Sequence, residues 1–107
     1  MSDGSDPGYQ VVLAQGGIDH LRGLIAQARA RGLIAALTEE LTIIQDHLAN
    51  DPLAWGDPNY RLSALGLLMF HRVVGLLHLY YAVDEPRRVV YIRAVEPMPG
   101  RALDPEG

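Results

Sequence analysis

The sequence predicts an α+β domain of two layers, in which an N-terminal strand and a helical hairpin pack on an antiparallel sheet in the order β-α-α-β-β-β. Three observations carry this. Leu77–Val83 and Arg88–Val95 are β-rich runs flanking Asp84-Glu85-Pro86-Arg87, a polar segment whose proline cannot donate to a ladder, so they read as an antiparallel hairpin. Two consecutive stretches before it, Ile18–Arg31 and Leu33–Ala49, carry apolar residues at helical spacing. The short run Tyr9–Ala14 is β-prone and ends at Gln15-Gly16-Gly17, as a strand joining the sheet would.

In chain order, residues 1–8 are acidic and turn-rich and are expected to form a tail. In the first helical stretch Ile18, Leu21, Ile25 and Ala28 share a face, and Gly32 lies where a C-terminal cap would end it. In the second, Ile34, Leu37, Leu41, Ile44 and Leu48 make an apolar stripe whose obvious partner is the preceding helix. Asn50-Asp51-Pro52 closes it, because the residue before a proline disfavours helix. Leu53–Tyr60 is dense in turn formers and reads as a loop anchored by Trp55, whose expected role is to cover one end of the core. Arg61–Val74 fits either a helix or a strand by periodicity; the strand, broken near Gly66 and pairing with the hairpin, is preferred. Pro97, Pro99 and Pro105 preclude a long C-terminal helix, so the domain is expected over residues 9–97 and an extended tail over 98–107.

At 107 residues and 49% hydrophobic, the chain suits one compact domain with a small core. Without cysteine it has no disulfide, thiol nucleophile or thiolate metal site. An acidic start, lacking the basic and apolar run of a signal peptide, fits a cytoplasmic protein. The apolar stretch Leu62–Val83 is interrupted by His71, Arg72 and His78, which makes it a poor membrane span. All nine basic residues are arginine, yet thirteen acids outnumber them and the net charge is −4. General binding of nucleic acid is thereby disfavoured, since phosphate neutralisation supplies most of its affinity. A local arginine cluster stays open, because Arg72, Arg87, Arg88 and Arg93 all lie in the second half.

With the hairpin turn centred on Glu85-Pro86, Leu77, Leu79 and Tyr81 stand opposite Ala94, Ile92 and Val90 on an oily face. The other face then carries His78 opposite Arg93 and Tyr80 opposite Tyr91. This gathering of an imidazole, a guanidinium and two phenols is either an ordinary solvated sheet surface or the floor of a site. His20, His47, His71 and His78 show no short metal-ligand spacing, so neither metal nor cofactor is expected. Gly16-Gly17 before a helix reads as a turn in preference to an anion cradle, and Glu39-Glu40 as a solvated helix edge.

The segment GLLHLYYAVDEPRRVVYIRAVEP, preceded by a helical hairpin and by DPLAWGDPNYRL, resembles the C-terminal half of RelE/ParE superfamily toxins from bacterial type II toxin–antitoxin pairs. Tyr81-Ala82-Val83-Asp84-Glu85 and Arg88-Val89-Val90-Tyr91-Ile92 carry the likeness, which spans Tyr9–Pro97 with the element order. The resemblance implies a growth-inhibiting, plasmid-stabilising toxin neutralised by a cognate antitoxin, acting by cutting messenger RNA in the ribosome or by poisoning DNA gyrase. For the RNA-cutting branch, cleavage through the ribose 2′-OH needs a base, an acid and a cation near the phosphate; His78 or His71 would be the base, Arg93 or Arg72 the cation, and Tyr80 or Tyr91 a hydrogen-bonding partner. The nuclease branch usually has an arginine in the first hairpin strand, where this chain has His78. It also continues past the last strand with a basic segment and a catalytic His or Tyr, where this chain has Glu96-Pro97-Met98-Pro99-Gly100. A catalytically degenerate interaction module on the same fold is the alternative. The apolar run Leu62–Phe70, if exposed, would supply a dimer or antitoxin contact.

Overall fold

The structure, a computed structural model, describes residues 8–62, 66–101 and 103. The elements are β1 (Gln10–Leu13), α1 (Gln15–Ala30), α2 (Ile34–Asn50), a short α3 (Pro52–Trp55), β2 (Asp57–Leu62), β3 (Leu67–Val74), β4 (Leu77–Asp84) and β5 (Val89–Pro97). The sheet runs β1-β5-β4-β3-β2. All its pairings are antiparallel except β1 with β5, which is parallel. The expected layers are present, with one strand more than expected. Leu53–Tyr60 is not a loop: Pro52 starts a helical turn, for which its fixed φ is suited, and Asp57 opens an edge strand that tolerates Pro58. The preference for strand over Arg61–Val74 agrees with the described ends of that stretch, where β2 and β3 pair antiparallel and Gly66, just before β3, has φ +68°.

The helix ends follow local chemistry. Gly32, at φ +70°, lets Leu33 N–H reach Ala28 O at 2.7 Å and Gly32 N–H reach Arg29 O at 3.4 Å, which ends α1 in a Schellman motif. At its start, α1 lies so close to β5 that a Cβ on Gly17 would stand 2.8 Å from Ile92 O. Close approach of backbones, and not anion binding, accounts for the glycine pair.

One face of the sheet packs under the helical hairpin. Leu77, Leu79, Tyr81 and Val83 of β4 meet Phe70 and Val74 of β3, Val90, Ile92 and Val95 of β5, and Leu24, Ala28, Leu37, Ile44 and Leu48 of the helices. Each fully buried side chain of this size contributes about 1.5–3 kcal/mol. Leu103 belongs to the same core and is wholly buried, while Met98 N–H donates to Leu76 O at 2.9 Å. Among the described residues after Pro97, Met98 and Leu103 thus pack back on the domain where an extended tail is expected. Residues 1–7, the greater part of the expected N-terminal tail, lie outside the described residues, as do residues 104–107.

The hairpin register differs from the expected one. Asp84 pairs with Val89 across a four-residue turn, Glu85–Arg88, and a bulge between Tyr80 and Tyr81 leaves Arg93 unpaired. His78 thus faces Glu96, not Arg93, and Tyr80 faces Ala94, not Tyr91. Two features set the longer turn. Asp84 is buried and accepts from Arg87 N–H at 3.3 Å and Arg87 Nη1 at 2.9 Å, which raises the arginine's pKa. Arg88 adopts φ +55° and lies over the Tyr9 ring at 4.4 Å, docking the start of β1. The bulge shifts the side-chain alternation by one, so that Val95 and not Ala94 enters the core.

Two polar side chains finish the frame. Glu40 Oε1 accepts from Leu76 N–H at 2.9 Å and ties α2 to the β3–β4 turn, so it is not merely a solvated helix edge. His20 Nδ1 accepts from Val95 N–H at 3.3 Å, satisfying an edge donor of β5 beyond the end of β1.

Candidate functional site on the open face of the sheet

The face of β3 and β4 turned away from the helices carries His71, His78 and Tyr80. Strand pairing sets them there: Tyr80 is directly opposite His71, and His78 is opposite Val73, one step further along the face. His71 Nδ1 lies 3.1 Å from His78 Nε2, and His78 Nδ1 lies 3.2 Å from the Tyr80 hydroxyl. The rings are also in contact, with centroids 4.4 Å apart for His78 and Tyr80 and 5.3 Å for His71 and His78. All three are partly buried.

Hydrogen-bond accounting restricts this chain to two coherent settings when the rings are neutral. In one, the Tyr80 O–H donates to His78 Nδ1 and His78 Nε2–H donates to His71 Nδ1. In the other every bond is reversed: His71 Nδ1–H donates to His78, and His78 Nδ1–H donates to the Tyr80 oxygen. The second setting leaves a lone pair on His71 Nε2. A proton accepted there can pass along the chain and leave from the Tyr80 hydroxyl, which is the behaviour of an acid–base relay.

The other residues expected at the site are dispersed. Arg72 belongs to the opposite face, where its guanidinium lies 5.0 Å from the Trp55 ring centroid and donates to Trp55 O at 2.5 Å. Alternation along β3 separates it from its neighbour His71. Arg93 is exposed at the bulge, next to the Ala94 that pairs with Tyr80. Tyr91 shares the open face but stands in the row of Ala82, nearer the hairpin turn. His71 was one of two alternative bases by sequence; its direct bond to His78 was not foreseeable, because only strand pairing joins residues seven positions apart.

Trp55 covers the end of the core, as expected. It stacks on His47 with ring centroids 4.7 Å apart and lies 6.3 Å from Tyr81, whose hydroxyl donates to Pro52 O at 2.6 Å. Burial pushes the Tyr81 pKa up to about 12.

A groove of about 520 Å³ lies elsewhere, between α1 and the end of β5, lined by Leu24, Val95, Pro97 and Leu103 with Asp19 and Glu96 at its rim. Its imidazole, His20, already accepts a backbone N–H. Among the described residues no three His, Asp or Glu side chains converge to hold a metal ion, and no helix is long and apolar enough to cross a membrane.

No protein-family model matches the chain, and no curated protein matches it. Among solved structures, a chain of the toxin–antitoxin complex RelBE2 from Mycobacterium tuberculosis is similar to it at 25% sequence identity and a TM-score of 0.58. The similarity covers 85% of this chain and 92% of that one. Shared over nearly the whole chain, a helical hairpin on a sheet of this order identifies the RelE-like fold of the RelE/ParE superfamily of toxins.

Proposed function

We propose that the chain is the toxin component of a type II toxin–antitoxin pair, neutralised by a cognate antitoxin, and that it arrests growth by cutting messenger RNA during translation. The observation that carries the chemical part is the Tyr80–His78–His71 hydrogen-bonded chain on the open face of a RelE-like fold. In this reading His71 Nε2 takes the proton of a ribose 2′-OH, the oxygen attacks the adjacent phosphorus, and the 5′-oxygen leaves with a proton returned by the relay. Arg93, exposed beside Ala94, supplies the cation for the phosphate.

A second reading, action on DNA gyrase or a non-enzymatic interaction module, is favoured by one observation. Arg72 is tied to Trp55 on the other face and brings no charge to the imidazoles.

Controlled expression in a bacterial host, with and without the neighbouring reading frame, tests the pair. Arrest relieved by the neighbour supports a toxin, and primer extension on cellular messenger RNA then separates cleavage from gyrase poisoning. Arrest without cleavage, or cleavage that survives His71→Ala and His78→Ala, refutes the nuclease reading; no arrest and no binding to the neighbour's product refutes the toxin reading.

A further inference from the structure

We infer that His71 and His78 form a two-nitrogen chelate for a divalent transition-metal ion of the imidazole-preferring class, represented by Zn²⁺. Their facing nitrogens, His71 Nδ1 and His78 Nε2, are 3.1 Å apart. With metal–nitrogen bonds of about 2.0–2.1 Å, two ligands on one ion stand about 3.3 Å apart in a tetrahedral site and about 2.9 Å apart at a right angle. The observed separation lies between these values, so one ion can span the two nitrogens once each ring turns its lone pair from the other imidazole towards the ion.

Preorganisation supports this. Both histidines stand on adjacent inner strands, β3 and β4, whose pairing is continuous from Leu67 to Val74. His78 also has an outer partner, since the Tyr80 hydroxyl sits on its other nitrogen at 3.2 Å. Metal-ligating imidazoles are commonly held by such a bond, which fixes the tautomer. The proton count balances without loss: His71 moves its proton to Nε2, His78 keeps its own on Nδ1 and donates it to the Tyr80 oxygen, and both inner lone pairs face the ion.

The surroundings suit a cation. Asp57 is opposite His71 on β2, Glu96 is opposite His78 on β5, both are exposed, and the chain carries a net charge of −4. This inference does not depend on the proposed nuclease reaction, although a bound ion would occupy the nitrogens the relay uses.

The test is calorimetric titration of the full chain with Zn²⁺, paired with long-range ¹H–¹⁵N spectra of its histidine rings. Saturable one-to-one binding is expected, weakened at least about tenfold by His71→Ala and by His78→Ala, and unchanged by His47→Ala. Tyr80→Phe, which leaves both ligands in place, is expected to weaken it by about tenfold through loss of the outer bond. In the unmodified chain, Zn²⁺ should move the His71 Nδ1 and His78 Nε2 resonances, a readout that does not depend on any variant folding. Absence of saturable binding, binding that survives both alanine variants, or ring shifts falling on His20 or His47 would overturn the inference.

Discussion

Tyr81→Phe isolates a single oxygen at the corner where α2, α3 and the sheet meet. The side chain is fully buried, its ring lies 5.2 Å from Phe70 and 6.3 Å from Trp55, and its hydroxyl donates to Pro52 O at 2.6 Å. Phenylalanine keeps the ring contacts and strands a carbonyl acceptor in a buried place, which costs about 1–3 kcal/mol. The same oxygen also predicts a pH dependence. Burial raises the folded-state pKa from 10.0 to about 12, so the folded protein holds the phenolic proton more tightly than the unfolded chain does. The stabilisation is therefore whole below pH 10 and is lost as pH climbs towards 12, amounting to about 1.4 kcal/mol of loss at pH 11. Urea unfolding of both proteins at pH 8 and pH 11 measures the two effects together. The expected result is a less stable variant at pH 8 and a difference that narrows by about 1.4 kcal/mol at pH 11. Equal stability at pH 8, or a gap that does not change with pH, would refute the assignment of a buried, hydrogen-bonded phenol.

Leu103→Ala should destabilise the protein by about 2–5 kcal/mol in thermal or urea unfolding, because Leu103 is wholly enclosed by the core. Glu40→Ala should cost about 1–2 kcal/mol by leaving Leu76 N–H without its acceptor, and Glu40→Gln should recover most of it. Arg72→Ala should lose about 0.5–1 kcal/mol of stability with its Trp55 contact while leaving the proposed growth arrest per folded molecule intact. Arg93→Ala should do the converse: stability stays within about 0.5 kcal/mol of the parent and, on the proposed nuclease reading, messenger RNA cleavage falls by about a hundredfold or more.

The helices were the most legible part of the sequence, because each element announces itself locally. The stripe Ile34, Leu37, Leu41, Ile44 and Leu48 needs only a helical period, and Gly32 needs only its φ of +70° to end α1 in a cap. Strand β2 was hidden for the same reason. Asp57-Pro58-Asn59 has turn chemistry, and it lies in a strand only because it occupies the sheet edge, a position that tertiary pairing assigns. Glu40 and His20 were equally silent, since each is spent on a backbone N–H more than thirty residues away.

The site was half legible, and the part that was missed turns on one residue. Reading His78 and Tyr80 onto the polar face of the hairpin required only the two-residue period, which holds along β4. Placing Arg93 opposite His78 required an unbroken register through β5, and the bulge at Arg93 breaks it. The four-residue turn moves every pair by two positions and keeps the faces; the bulge adds one more and exchanges them, which is why Ala94 faces Tyr80 and Val95 is buried. The imidazole that expectation paired with an arginine on one neighbouring strand instead bonds a second imidazole on the other, His71. A guanidinium beside His78 would have favoured its neutral form and a site already holding a cation. Two imidazoles facing each other leave a position between them for a proton or a metal ion, so the chemistry of this face is set by what bridges His71 and His78.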